Sequence, residues 1–201
     1  YVSGNHNKST MHYFLRNARN GSFSLATMDL IGIAPVSFGS CAFASGADSA
    51  NATVWMDVFT VGIAPSSYDI LYMKNNRNGT FTNLANSSTA FPGGVPTGCQ
   101  HSSIVAADLN GDGRDDLFYN GYTYPNYISR LYLRDANGSM IRSHGLDATG
   151  NLTELQHSSS VAVDIDSDGD IDLVIAGQNA SIESIVAALL NDGSGNFTDG
   201  T

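Results

Sequence analysis

Asp164-Ile165-Asp166-Ser167-Asp168-Gly169-Asp170-Ile171-Asp172-Leu173 has a near copy earlier in the chain, Asp108-Leu109-Asn110-Gly111-Asp112-Gly113-Arg114-Asp115-Asp116-Leu117. Both place oxygen-bearing side chains at positions 1, 3, 5 and 9, with Gly at position 6. Alternate residues on a turning loop aim their carboxylates at one centre, and Gly permits the sharp turn. Hard cations such as Ca²⁺ take about six to eight oxygens at short range. The expected ligands are Asp108, Asn110, Asp112, Asp116 and the Arg114 carbonyl in one loop, and Asp164, Asp166, Asp168, Asp172 and the Asp170 carbonyl in the other. Two Ca²⁺ per chain follow. The five carboxylates of the second loop repel one another unless a cation lies between them. An acidic surface turn is the plainer reading, but it would not recur with the same spacing and the same flanks.

A helix–loop–helix cation site is excluded. It needs a bidentate Glu at position 12, where this chain has Tyr119 and Ile175. The flanks, Ile104-Val105-Ala106-Ala107 and Val161-Ala162-Val163 before, Leu117-Phe118-Tyr119 and Leu173-Val174-Ile175 after, read as strands. Each loop is therefore a metal-holding turn within a β-hairpin.

Working outward, the chain is an array of repeats. Four segments share a strand, an Asn/Gly-rich turn and an apolar residue opening the next strand; they close at Phe23, Phe81, Met140 and Phe197, at intervals of 58, 59 and 57 residues. Asn-Gly is a strong hairpin signal because both central residues accept φ > 0. Gln100-His101-Ser102-Ser103 precedes the first cation loop and Gln156-His157-Ser158-Ser159 the second. An eroded unit runs from Phe38-Gly39 to Gly62-Ile63-Ala64-Pro65; only Asp48, Asn51 and Asp57 remain there as ligands. That unit is read as having lost its cation, with packing by Val54, Trp55 and Val58 in compensation.

The composition bounds the function. The chain has 201 residues, is 42% hydrophobic and 14% charged, and carries a formal net charge of −10. A basic nucleic-acid footprint is absent. No apolar run reaches the length of a membrane span. The chain begins at Tyr1, without Met or an apolar leader, which is read as a leader already removed. Asn-x-Ser/Thr sequons occur at Asn7, Asn20, Asn51, Asn78, Asn86, Asn137, Asn151, Asn179 and Asn196, where chance gives about three to four. The excess points to a secreted, N-glycosylated surface. Asn20, Asn78 and Asn137 share one phase of the hairpin turn, so an outer rim is expected for them. Cys41 and Cys99 lie 58 residues apart, one repeat, and are expected to form a disulfide; two free buried thiols are the alternative.

A period near 58 with about four short strands per unit means propeller blades or a comparable β array. The chain resembles the FG-GAP repeat family, the blades of integrin α-subunit propellers and their relatives. Phe38-Gly39 and Gly62-Ile63-Ala64-Pro65 match the ends of its pattern, and Asp108–Leu117 and Asp164–Leu173 match its cation cage. The resemblance implies an all-β propeller of antiparallel four-stranded blades, with Ca²⁺ held between the first two strands of a blade as a structural ion. The expected division is a partial blade over 1–38, a blade without an intact cage over 39–96, and blades with cages over 97–155 and 156–201. That is about three and a half units, against four to eight in a closed propeller. Further repeats of the same polypeptide, or further copies of the chain, are therefore expected as partners.

Three functions are open at this level. The first is a secreted structural or adhesive glycoprotein of the cell surface, such as a filament subunit. The second is a lectin-type module using the loop with Tyr122, Tyr124, Pro125 and Tyr127, whose rings suit carbohydrate stacking or a protein interface; packing between blades is the alternative. The third is an enzyme on the same scaffold, which is not expected, because no catalytic base is found beyond the cages. His101 and His157, at equivalent positions before an inner strand, are read as hydrogen-bonding neighbouring loops, with a site near the propeller axis as the alternative.

Overall fold

A computed structural model describes residues 2–6, 9–26, 36–45, 55–64, 67–144 and 154–200. Asn7, Asn51 and Asn151 among the sequons, and Asp48, Val54 and Pro65 of the eroded unit, lie outside the described residues. The described chain is all β. Its first sheet holds β1 (Val2–His6), β2 (Ser9–Asn17) and β3 (Phe23–Ala26) in that order. Three antiparallel four-stranded sheets follow, each a meander in sequence order. They are β4 (Ser37–Ser45), β5 (Met56–Ala64), β6 (Ser67–Asn75) and β7 (Phe81–Asn83); β8 (Gln100–Ala107), β9 (Asp116–Thr123), β10 (Asn126–Arg134) and β11 (Met140–Ser143); and β12 (Gln156–Val163), β13 (Asp172–Gln178), β14 (Ser184–Asn191) and β15 (Phe197–Asp199). The first strands meet: β1 lies against β4, β4 against β8 and β8 against β12. The sheets therefore stand side by side like propeller blades, with their first strands innermost, and the array is not closed.

Period-2 alternation explains how a blade buries both faces. On β9, Leu117 and Tyr119 face the second sheet, where they join Phe59, Val61, Tyr72, Phe91 and Met140 in one core. Phe118, between them in sequence, faces the fourth sheet and packs with Leu109, Leu131, Leu173, Leu189 and Phe197 in another. A third cluster, Val36, Val58, Leu71 and Met73, lines the face of the second sheet turned toward the first. Val58 is thus a core residue, as expected for the eroded unit, whereas Trp55 is 37% exposed.

Each innermost strand of the four-stranded sheets opens with a register shift, between Ser37 and Ser40, Gln100 and Ser103, and Gln156 and Ser159. Phe38, His101 and His157 take φ values of 51°, 49° and 48° there. This is left-handed backbone, which a bulge tolerates because its extra residue leaves the ladder. The bulge corrects the expected disulfide. Cys41 and Cys99 are both free thiols. Phe38 aligns with His101, so Cys41 lies three residues beyond the bulge and Cys99 two residues before it. At ~3.3 Å per residue this staggers them by roughly 16 Å along neighbouring strands, far beyond the ~7 Å Cα separation a disulfide bridges. Burial pushes the Cys99 thiol up to about 12.

Candidate metal centre

Both cation loops join the first and second strands of a blade, β8 to β9 and β12 to β13, as the hairpin reading required. Gly113 and Gly169 take φ of 81° and 99°, the left-handed turn that position 6 demands. In the second loop the carboxylates of Asp164, Asp166 and Asp172 offer oxygens within 4.8 Å of one another. Asp164 also accepts from the N–H groups of Ser167 (2.7 Å) and Gly169 (3.2 Å), which fixes the turn. Loss of solvation and the charges of Asp168 and other neighbouring carboxylates raise the Asp166 and Asp170 carboxyls above their ordinary value. An all-oxygen, strongly anionic donor set of this kind fits a hard divalent cation. Such an ion would be held by Asp164, Asp166 and Asp172, and it would supply the charge that lets these groups share one loop.

The first loop differs. Its Asp108 accepts from Asp112 N (3.0 Å) and Gly113 N (2.7 Å), sharing with Asp164 only the bond from the position-6 Gly. The side chain of Arg114, however, pairs with Asp112 Oδ2 through Nη2, and its Nε donates to the Arg134 carbonyl at 3.1 Å. Arg114, expected as a carbonyl donor, thus brings its own positive charge to one of the cage carboxylates.

Position 9 has a second duty that spacing did not reveal. Asp116 accepts from Arg134 N (2.7 Å) and Leu109 N (2.9 Å), and Asp172 from Asn191 N and Ile165 N (2.8 Å each). Each carboxylate pins the loop to the third strand. Burial pushes the Asp116 carboxyl up to about 6, against the pull of these N–H donors. Asp57, the position-9 residue of the eroded unit, accepts from Asn75 N at 2.8 Å in the same way. Its other oxygen takes Tyr72 Oη (2.9 Å) from its own blade and Arg134 Nη1 (3.3 Å) from the next. The Arg134 guanidinium is fully buried, 5.8 Å from the Phe59 ring centroid and 5.9 Å from that of Tyr72. Arg134 had a faint signal: the residue preceding the four hairpin turns is Asn17, Asn75, Arg134 and Asn191. Asn191 likewise reaches across a seam, donating to the Leu109 carbonyl at 2.8 Å.

The remaining expected residues lie elsewhere. The turns carrying Asn78, Asn137 and Asn196 follow the third strand of each four-stranded sheet, and that of Asn20 follows β2 of the first sheet; they lie at the end that bears the cages, where Gly193 packs so closely on the Asp170 carboxylate that a Cβ would meet it at 2.6 Å. The expected outer rim is therefore the cage end of the outer hairpins. Asn20, Asn78, Asn86, Asn137 and Asn196 are exposed, and Asn179 is half-buried. The opposite end holds the β9–β10 hairpin. There Tyr122 meets Tyr124 and Tyr127 edge-on at 6.5 and 5.2 Å, and Tyr124 is 76% exposed. Phe38, His101 and His157 line up at that end across three blades, with ring centroids 5.3 and 4.2 Å apart. The imidazoles thus meet rings, and among the described residues neither bonds to a loop as expected.

Antiparallel sheets standing side by side, two of them with an acidic turn between their first two strands, have the make-up of propeller-type blades. Residues 51–119 match the family model described as an FG-GAP-like repeat, a stretch running through the second blade and the first cation loop into β9. No curated protein matches the chain. Among the described residues no helix is long and apolar enough to cross a membrane.

Proposed function

We propose that this chain is a secreted, N-glycosylated, calcium-binding blade array with a structural or adhesive role at the cell surface, and that it is not an enzyme. The observation that carries the reading is the Asp164–Asp166–Asp172 cluster in the turn between the first and second strands of a blade. A cation there acts by stiffening the blade. The sequons and the FG-GAP-like repeat support the extracellular assignment.

Its partners are further blades of the same kind, from the same polypeptide or from further copies in a filament. The outward face of the fourth sheet exposes Val161 (53%), Val163 (41%) and Val186 (71%). Val161 occupies on β12 the place that Val105, packed inside the seam between sheets three and four, holds on β8. Elemental analysis and calorimetry on the untreated glycoprotein test the central claim. Two Ca²⁺ per chain are expected, and their absence from protein prepared without chelator overturns the reading.

A second reading, a lectin-type module, is favoured by one observation, the exposed Tyr124 beside Tyr122 and Tyr127. Binding to a glycan array that Tyr124→Ala abolishes would select it.

A further inference from the structure

Between the second and third blades lies a cleft of about 540 Å³, within the range of ligand-holding cavities. One wall belongs to the second blade: Tyr72 and Lys74 on β6, with Leu84 and Pro92 on the segment that follows β7. The other wall is the β10–β11 turn, with Asp135 and the whole sequon Asn137-Gly138-Ser139. The turn is held rigidly. Asp135 Oδ1 accepts from Asn137 N at 2.9 Å and from Ser139 N at 2.8 Å. The segment opposite is tied to the third blade, because Met140 N donates to the Ala90 carbonyl at 2.8 Å. Nδ2 of Asn137, the atom an N-glycan takes, therefore belongs to a residue in the lining of a preformed cleft.

We infer that the first sugars of a glycan on Asn137 lie in this cleft and bridge the two blades. The inference rests on the glycoprotein reading above and goes beyond it, by assigning the sugars a place. Attachment uses a lipid-diphosphate-linked oligosaccharide. The sugar C1–O bond to the diphosphate breaks, a C1–Nδ2 bond forms, and the amide loses one proton to the leaving lipid diphosphate. An N-acetylglucosamine unit has an apolar C–H face and a rim of hydroxyls and an acetamide. The cleft offers Leu84 and Pro92 to the first, and Lys74 and Asp135 to the second. Asn78, in the equivalent turn of the second blade, is exposed and does not line this cleft, so its glycan stands in solvent.

The test uses the full chain secreted from a eukaryotic host, with occupancy at each sequon read by peptide mass spectrometry. An endoglycosidase that cuts between the first two sugars is then applied under native conditions. Release from Asn137 is expected to be slower than from Asn78 by about tenfold or more, the factor given by a docking free energy of about 1.4 kcal/mol, with the difference abolished on denaturation. Ser139→Ala, which removes the sequon and keeps the backbone, is expected to speed hydrogen exchange over residues 84–92; Thr80→Ala is not. Equal native release rates, or an empty Asn137 beside an occupied Asn78, overturn this inference alone. A secreted chain with no occupied sequon overturns the glycoprotein reading and this inference together.

Discussion

Arg134 stands where the neighbouring blades carry Asn, and its charge reaches the one position-9 carboxylate whose cage is eroded. Its Nε and Nη2 have no acceptor among the described residues, so the Phe59 and Tyr72 rings and Asp57 are the environment that holds it. Removing one partner of a buried pair leaves the other uncompensated. Arg134→Met is expected to cost about 3–5 kcal/mol of unfolding free energy in a urea melt, and Arg134→Met with Asp57→Asn to cost less than the single change. His101 makes the second prediction at this scale. Burial, then the nearby His157, holds its imidazole below its ordinary value, so the fold favours the neutral form. Its contribution is full above the unfolded value near ~6.5 and is lost as pH falls below that value. Melting temperature is expected to fall between about pH 7 and 5, and His101→Phe, which copies Phe38 in the second blade, is expected to flatten that part of the profile. Sequence reading found both histidines by their repeated phase. It missed their ring-to-ring contact, because a bulge that turns three side chains the same way leaves no mark on composition.

The two cation loops are one element written twice, and of the five positions at which they differ, only one, Arg114, puts a positive charge in the loop. Arg114 pairs with Asp112, whereas the matching position in the second loop is Asp170. An internal cation competes with an added one, so the second loop is expected to bind calcium more tightly. Arg114→Ala is expected to raise the affinity of the first loop, as read by calorimetry, while Asp166→Ala abolishes the tighter site. A ligand that binds only the folded chain stabilises it by about 2.7 kcal/mol at a hundred times its Kd, so chelation is expected to lower the melting temperature measurably. The loops were legible because cation chemistry fixes donor spacing. The hairpins were legible because Asn-Gly fixes a turn. The pairing of Cys41 with Cys99 was misread because the repeat interval counts residues and takes no account of where each strand begins relative to its bulge.

Across the whole molecule, the residue that closes each outer turn packs toward the preceding blade. Met140 and Phe197 are buried in the seams on that side, and Phe81 packs there against the second sheet's cluster. Phe23 is their counterpart in the first sheet, yet it is 63% exposed, with Leu15 on the same face 48% exposed. Val161 and Val186 on the fourth sheet are exposed in the opposite sense, on the face a following blade would cover. On the partner reading proposed above, the two apolar faces are the two halves of one seam. Different faces on identical copies meet head to tail, and such contacts close a ring or propagate. The chain is therefore expected to form larger species as its concentration rises. Phe23→Lys and Val186→Lys, both at exposed positions that leave the internal seams intact, are each expected to hold it as a monomer. An equimolar mixture of the two variants should give a dimer and nothing larger, because one unaltered face of each kind remains. Light scattering distinguishes the outcomes: wild-type chain that stays monomeric at every concentration, or a mixture that does not pair, would refute the head-to-tail seam.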